Sequence, residues 1–237
     1  MQLFDLVITD KQDVDLKDIV LDAENEKSIQ NLLKEYKYVD ELSKYNLPIN
    51  NKILLYGSSG CGKTTTAKAI AKALEKPLVI LNLSNVVCSR IGETAQNVKQ
   101  VFDKASREKA VLFLDEFDQI GKERETDDKD VGEMRRLVNS IIQLIDYYPK
   151  NALLICATNH VEMIDKALLR RFQLRINFEM PDKNVLDNYY DSLLSDFPKN
   201  LQMINRVYGI SFAEAKDDAL TQVKAILIAT LESKKNT

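Results

Sequence analysis

Residues 52–74 read KILLYGSSGCGKTTTAKAIAKAL. An apolar run, Ile53 to Tyr56, meets Gly57-Ser58-Ser59-Gly60-Cys61-Gly62-Lys63-Thr64. The chain then takes up helical spacing, with Ala67, Ile70, Ala71 and Leu74 at i, i+3, i+4 and i+7. Strand, G-x-x-x-x-G-K-[ST] loop and helix coincide in the order that phosphate binding needs. The glycines let the backbone wrap so that its N–H groups face inward, and the helix N-terminus adds partial positive charge. In this pattern Lys63 is expected to bridge the β- and γ-phosphates and Thr64 to ligate magnesium, with Thr65 beside them as a further nucleotide contact.

Outward from this stretch, short apolar runs alternate with helix-period segments. Candidate strands are Ile53 to Tyr56, Leu78 to Leu83, Val111 to Asp115, Leu153 to Ala157 and Arg175 to Phe178. Val98, Val101, Phe102 and Ala105 mark one intervening amphipathic helix; Met134, Leu137, Val138, Ile141 and Ile145 mark another, and Ile164 to Leu169 a short one. The pattern is that of an α/β fold: a parallel sheet of about five strands with helices on both faces. A strand at Leu3 to Thr9 and one helix from about Glu24 to Tyr45, ended by Pro48, precede it. After Pro181 only helices are expected: about Val185 to Leu194, a short one near Leu201 to Val207, and a longer one from Phe212 whose tail frays from Glu232. Ser211 and Glu214 have capping-box spacing. The expected organisation is therefore residues 1–48 packing on a core of 49–181, followed by a small helical lid, 182–237.

Of the 237 residues 45% are apolar and 29% charged, with seven Gly and five Pro, which excludes a disordered or fibrous chain. A net charge of −3 supplies no general attraction to nucleic acid or anionic membrane. No apolar stretch approaches a membrane span and no leader pattern opens the chain, so a cytoplasmic setting is expected. Cys61, Cys88 and Cys156 form no CxxC pair and His160 is the only histidine, too few ligands for structural zinc.

Val111-Leu112-Phe113-Leu114-Asp115-Glu116 is an apolar strand ending in two carboxylates, the arrangement of a Walker B segment. Asp115 is placed to hold magnesium and Glu116 to orient and deprotonate an attacking water. Asp118 reads as a capping or surface acid.

Three ordered segments, KILLYGSSGCGKTTTAKAIAKAL, VLFLDEFDQIGKER and LLICATNHVEMIDKALLRRF, resemble the AAA branch of the AAA+ ATPase family from about Asp18 to Asp182. The resemblance implies an ATP-hydrolysing subunit, with ATP and Mg2+ as cofactors. It implies a homo-oligomer, typically a hexameric ring, and a protein partner; nucleic acid is not indicated. Asn159 is similar to the family's sensor 1, and Arg170 and Arg171 resemble arginine fingers that enter the neighbouring subunit's site. The usual pair is separated by Pro-Gly; here the two are adjacent and diverge by about 100° on a helix, so one finger is expected, Arg171. Ile19 and Val20 resemble the segment that lines the adenine pocket, although core packing explains them equally well. Ala213 stands where other AAA+ branches carry a sensor 2 arginine. Arg90, Ile91 and Gly92 match a pore loop whose first position is normally aromatic, and the charged stretch Lys122 to Gly132 matches a second loop. A slow nucleotide-gated switch acting on a separate effector is the alternative reading.

Overall fold

The computed structural model describes residues 7–8, 14–87, 91–121 and 129–235. The elements run β1 (Val7–Ile8), a 3-10 turn (Leu16–Asp18), α1 (Ala23–Lys37), α2 (Val39–Lys44), β2 (Lys52–Gly57), α3 (Lys63–Ala73), β3 (Leu78–Asn82) and α4 (Leu83–Val87). They continue with α5 (Ile91–Arg107), β4 (Val111–Asp115), α6 (Asp118–Gly121), α7 (Lys129–Asp146), β5 (Leu153–Thr158), α8 (Lys166–Leu169), β6 (Leu174–Phe178), α9 (Lys183–Leu194) and α10 (Phe212–Lys235). By its contacts the chain divides into one unit of Met1–Gly57 and Lys63–Asn177 and a second of Ser58–Gly62 and Phe178–Thr237.

The sheet has the order β1-β3-β4-β5-β2-β6. β3 with β4, β4 with β5, and β5 with β2 pair in parallel, and β1 joins the edge antiparallel to β3. Ile53 to Leu55, Val111 to Leu114 and Leu153 to Ala157 are buried on both faces, which is why these strands read as unbroken apolar runs rather than alternating ones. The two faces still separate by the strand period of two. Leu54, Val79, Leu81, Leu112, Leu114, Leu154 and Cys156 share one core with Val98, Val101 and Phe102 of α5 and Leu137, Ile141 and Ile145 of α7. Helices α1 and α3 lie together and α3 contacts β4 and β5.

One expected helix is two. The buried stripe Ile29, Leu32 and Tyr36 ends where the Tyr36 hydroxyl donates to the Ala152 carbonyl at 3.3 Å. Beyond it there is no inward apolar stripe to extend, and the chain breaks at Tyr38 (φ −110, ψ 22) before resuming as α2. The charged stretch from Lys122 also contains helix, since α7 already starts at Lys129.

In the second unit, α9 and α10 bury Leu186, Tyr190, Leu194, Ala215, Ala219 and Val223 together with Leu201. The helix expected near Leu201 to Val207 is absent; only Lys199–Leu201 form a 3-10 turn. Side chains satisfy this backbone instead. Tyr190 donates to the Val207 carbonyl at 3.0 Å, and Gln222 bonds both the N–H and the carbonyl of Asn205. Arg206 holds Asp187 and Asp191. The tail does not fray at Glu232, because α10 runs to Lys235. Among the described residues no helix is long and apolar enough to cross a membrane.

Candidate functional site

The registers bring the carboxyl ends of four neighbouring strands level: Tyr56 pairs with Thr158, Leu114 with Cys156, and Asn82 with Asp115. The chain leaves β2 and reaches β3 across two intervening strands, β4 and β5, so the order switches here, which is where open α/β sheets bind ligands. Gly57, Gly60 and Gly62 all adopt positive φ (120, 70 and 103), the conformations that a side chain would strain. α3 starts at Lys63, so the last glycine turn runs directly into the N–H groups of a helix start.

Lys63 is buried, only 8% exposed, and its ammonium donates to the Gly57 carbonyl at 2.8 Å. At the next residue of the helix, the Thr64 hydroxyl lies 3.5 Å from an Asp115 carboxylate oxygen. A hydroxyl and a carboxylate side by side are the donor set that magnesium takes when phosphates and water complete its shell. Among the described residues there is no group of three or more His, Cys, Asp or Glu that could hold a metal ion. Burial pushes the Asp115 carboxyl up, opposed by the Glu116 N–H, the Lys63 charge and the Thr64 hydroxyl.

Glu116 sits at φ 55, a left-handed conformation that costs a non-glycine residue energy and recurs at working sites. Its N–H donates to Asp115 at 2.9 Å, and its carboxylate accepts from the Ser84 hydroxyl. The residue after it is also fixed: the Phe117 N–H donates to the Ala157 carbonyl at 2.8 Å, and its ring meets that of Phe172 edge-on at 5.4 Å. Asp118 is neither exposed nor a surface acid. It is 4% exposed and accepts from the Thr158 hydroxyl at 2.8 Å, which in turn accepts from the His160 N–H at 2.9 Å. These bonds pin the end of β4 to the end of β5. Asn159, the next residue, is exposed just past β5.

The two arginines differ. Arg170 caps α8 and is exposed, whereas Arg171 forks onto Asp146 at the end of α7 (Nε at 2.6 Å, Nη2 at 3.0 Å) and donates to the Ala167 carbonyl at 2.7 Å. Hydrogen bonding to Asp146 raises the Arg171 guanidinium above its ordinary range. Ile19 is half-buried and Val20 is 37% exposed, so Val20 is no core residue. Arg90, Cys88 and Lys122 to Asp128 lie outside the described residues, and Ile91 and Gly92 open α5. Cys61 and Cys156 are buried and belong to no disulfide, and burial raises the Cys156 thiol.

Residues 53–180 match the model of the ATPase family associated with various cellular activities (AAA). The chain belongs to the AAA family. It is 34% identical over 214 residues to an uncharacterized AAA family ATPase of Sinorhizobium fredii, covering 89% of this chain and 64% of that protein. It is 30% identical over 193 residues to a putative 26S proteasome regulatory subunit homolog of Methanothermobacter thermautotrophicus, covering 78% and 51%. With the ATP-dependent zinc metalloprotease FtsH of Lachnoclostridium phytofermentans it shares 30% over 230 residues, covering 93% and 40%. The chain spans less than two thirds of the length of these curated relatives.

Sequence reasoning on this AAA chain missed Ser84, Thr158 and the burial of Asp118. The one signal was composition: Thr158 is a polar residue closing the otherwise apolar run LLICAT.

Proposed function

We propose that this chain binds ATP with magnesium and hydrolyses it as one subunit of an oligomeric ring, six-membered as the family resemblance implies, and that the ring remodels or regulates a protein partner in the cytoplasm. The observation that carries the reading is the meeting of Thr64 with Asp115, beside buried Lys63 and strained Glu116, at the level ends of β2 and β4. Thr64 would ligate magnesium and Asp115 would hold it through its water shell, and the ion would supply charge neutralisation to the phosphates. Lys63 binds the phosphate charge, and the backbone of Gly57 to Gly62 cradles it. Glu116 orients a water and takes its proton, and Asn159 reports the nucleotide's state from the end of β5. Ile19 and Val20 contribute apolar contact to the base. One arginine of the Arg170–Arg171 pair reaches a neighbouring copy's nucleotide.

A second reading, a slow nucleotide-gated switch, draws on one observation: the Glu116 carboxylate is engaged by Ser84 rather than free. ATP turnover measured against protein concentration, with sizing under ATP and ADP, separates the two. Turnover that rises steeply with concentration supports shared sites at subunit boundaries, and flat, very slow turnover supports the switch.

A further inference from the structure

The phosphate loop is held by residues far from it in sequence. Ser58–Gly62 group by contact with Phe178–Thr237, although their chain neighbours Gly57 and Lys63 do not. The Ser58 N–H donates to the Phe178 carbonyl at 2.9 Å, and the Cys61 thiol lies 3.7 Å from the Met180 sulfur. At the loop's crest the Gly60 carbonyl accepts from the Ala213 N–H at 3.2 Å. The fit is close: a Cβ on Gly60 would lie 2.5 Å from the Ser211 hydroxyl and 3.2 Å from the Ala213 Cβ.

The first N–H groups of a helix have no partner within it. In α10 the earliest intrahelical bond is Ala215 N–H to the Ser211 carbonyl, at 2.9 Å. The Glu214 N–H is taken by the Ser211 hydroxyl, completing a capping box with the Glu214 carboxylate on the Ser211 N–H. The Ala213 N–H is thereby left over by the helix and spent on Gly60. A peptide carbonyl turned into a phosphate site repels the anion; one turned to α10 leaves that side of the loop to N–H groups.

We propose that Ser211 and Ala213 are positioning residues for the phosphate loop: the start of α10 fixes the Gly60 carbonyl away from the bound anion, so that affinity for nucleotides carrying a β-phosphate depends on the C-terminal unit. The inference rests on the nucleotide-binding reading above and assigns a determinant of it that lies outside the G-x-x-x-x-G-K-[ST] motif.

The test is calorimetric titration of the full chain with ADP, ATP and adenosine. Ala213→Pro removes the donor within the first helical turn, where proline is tolerated. It is expected to weaken ADP and ATP about five- to tenfold, the yield of one hydrogen bond, and to leave adenosine unchanged. Ala213→Ser keeps the N–H and is expected to bind like the parent. ADP binding by Ala213→Pro at parental strength, or an equal loss for adenosine, overturns the proposal. Because proline also restricts Phe212 before it, a second measurement uses the unaltered chain. No intrahelical acceptor exists for the Ala213 amide, so its protection from hydrogen exchange reads the Gly60 bond alone. Protection is expected; exchange at the rate of an open chain overturns the proposal. If the unaltered chain binds neither ADP nor ATP while the Ala213 amide is protected, the nucleotide reading itself has failed, and the positioning role falls with it.

Discussion

The ends of β2, β4 and β5 and the turn after α8 treat their polar side chains in opposite ways. At the strand ends each group is locked by a neighbour in the same chain: Lys63 by Gly57, Asp115 by Thr64 and the Glu116 N–H, Asp118 by Thr158. At the turn, Arg171 is clamped to Asp146 but Arg170 stands in solvent. Groups that must act together within one chain are pre-organised by burial, whereas an exposed cation on a fixed turn is suited to meet another surface. The largest expected effect follows from this contrast. Replacing both Arg170 and Arg171 by alanine should lower turnover of the assembled protein about 10³- to 10⁵-fold, the range that an arginine supplied in trans contributes. ATP binding by the dilute monomer should stay near normal. Mixing with Lys63→Ala subunits, which still offer both arginines, should restore activity that neither variant has alone. Absent rescue in mixtures shown to co-assemble would place the arginines' work inside their own chain and erase the contrast.

Next in size are changes within the strand-end cluster, where each should stay in its own chain. Glu116→Gln keeps the side chain's shape but cannot accept a proton. It should bind ATP and hydrolyse it about 10²- to 10⁴-fold more slowly in single-turnover assays. Parental turnover would remove Glu116 as the base. Lys63→Ala leaves the backbone cradle but deletes a charge-assisted contact, so ATP affinity should fall about 10- to 100-fold by calorimetry. Unchanged affinity would count against the phosphate-loop assignment.

The same contrast marks what could be read before the structure. The strands and the loop from Ile53 to Thr64 were legible because the apolar runs are long, buried on both faces, and punctuated by glycines with a defined conformational task. The break at Tyr38 was not, since helical spacing continues through it and only the loss of a surface to bury stops the helix. The absent helix after Leu201 was hidden for another reason. Its backbone partners, Tyr190 and Gln222, are 17 residues away in sequence from the Val207 and Asn205 groups they satisfy, and no local pattern encodes that. In the site, Lys63, Thr64, Asp115 and Glu116 follow from motif spacing, but Thr158 and Asp118 meet across 40 residues. Adjacent arginines look alike in sequence; only the position of Asp146 separates a clamped one from an exposed one.

The smallest effect isolates that separation. The Arg171–Asp146 pair has good two-pronged geometry, and a third donor of the same guanidinium holds the Ala167 carbonyl, so the side chain ties the end of α7 to α8. The turn that follows is also stitched to β2, through Gln173 N–H to the Lys52 carbonyl at 3.1 Å and Lys52 N–H to the Gln173 side chain at 2.9 Å. Both partners of the ion pair are partly in water, 29% and 38% exposed, so screening keeps the pair near the upper end of exposed pairs, about 1 kcal/mol. For a chain of this size that corresponds to a melting shift of about 2–4 °C. Arg171→Ala should therefore lower the thermal midpoint by that amount, and Asp146→Asn should lower it less, because the amide still accepts one hydrogen bond. Arg170→Ala, which removes no side-chain bond among the described residues, should leave the midpoint within about 1 °C. Scanning calorimetry at low and high salt checks the assignment, since the Arg171→Ala difference should shrink as salt screens the parental pair. Equal shifts for the two arginine variants would show that the turn does not divide its cations between a clamp and an exposed probe.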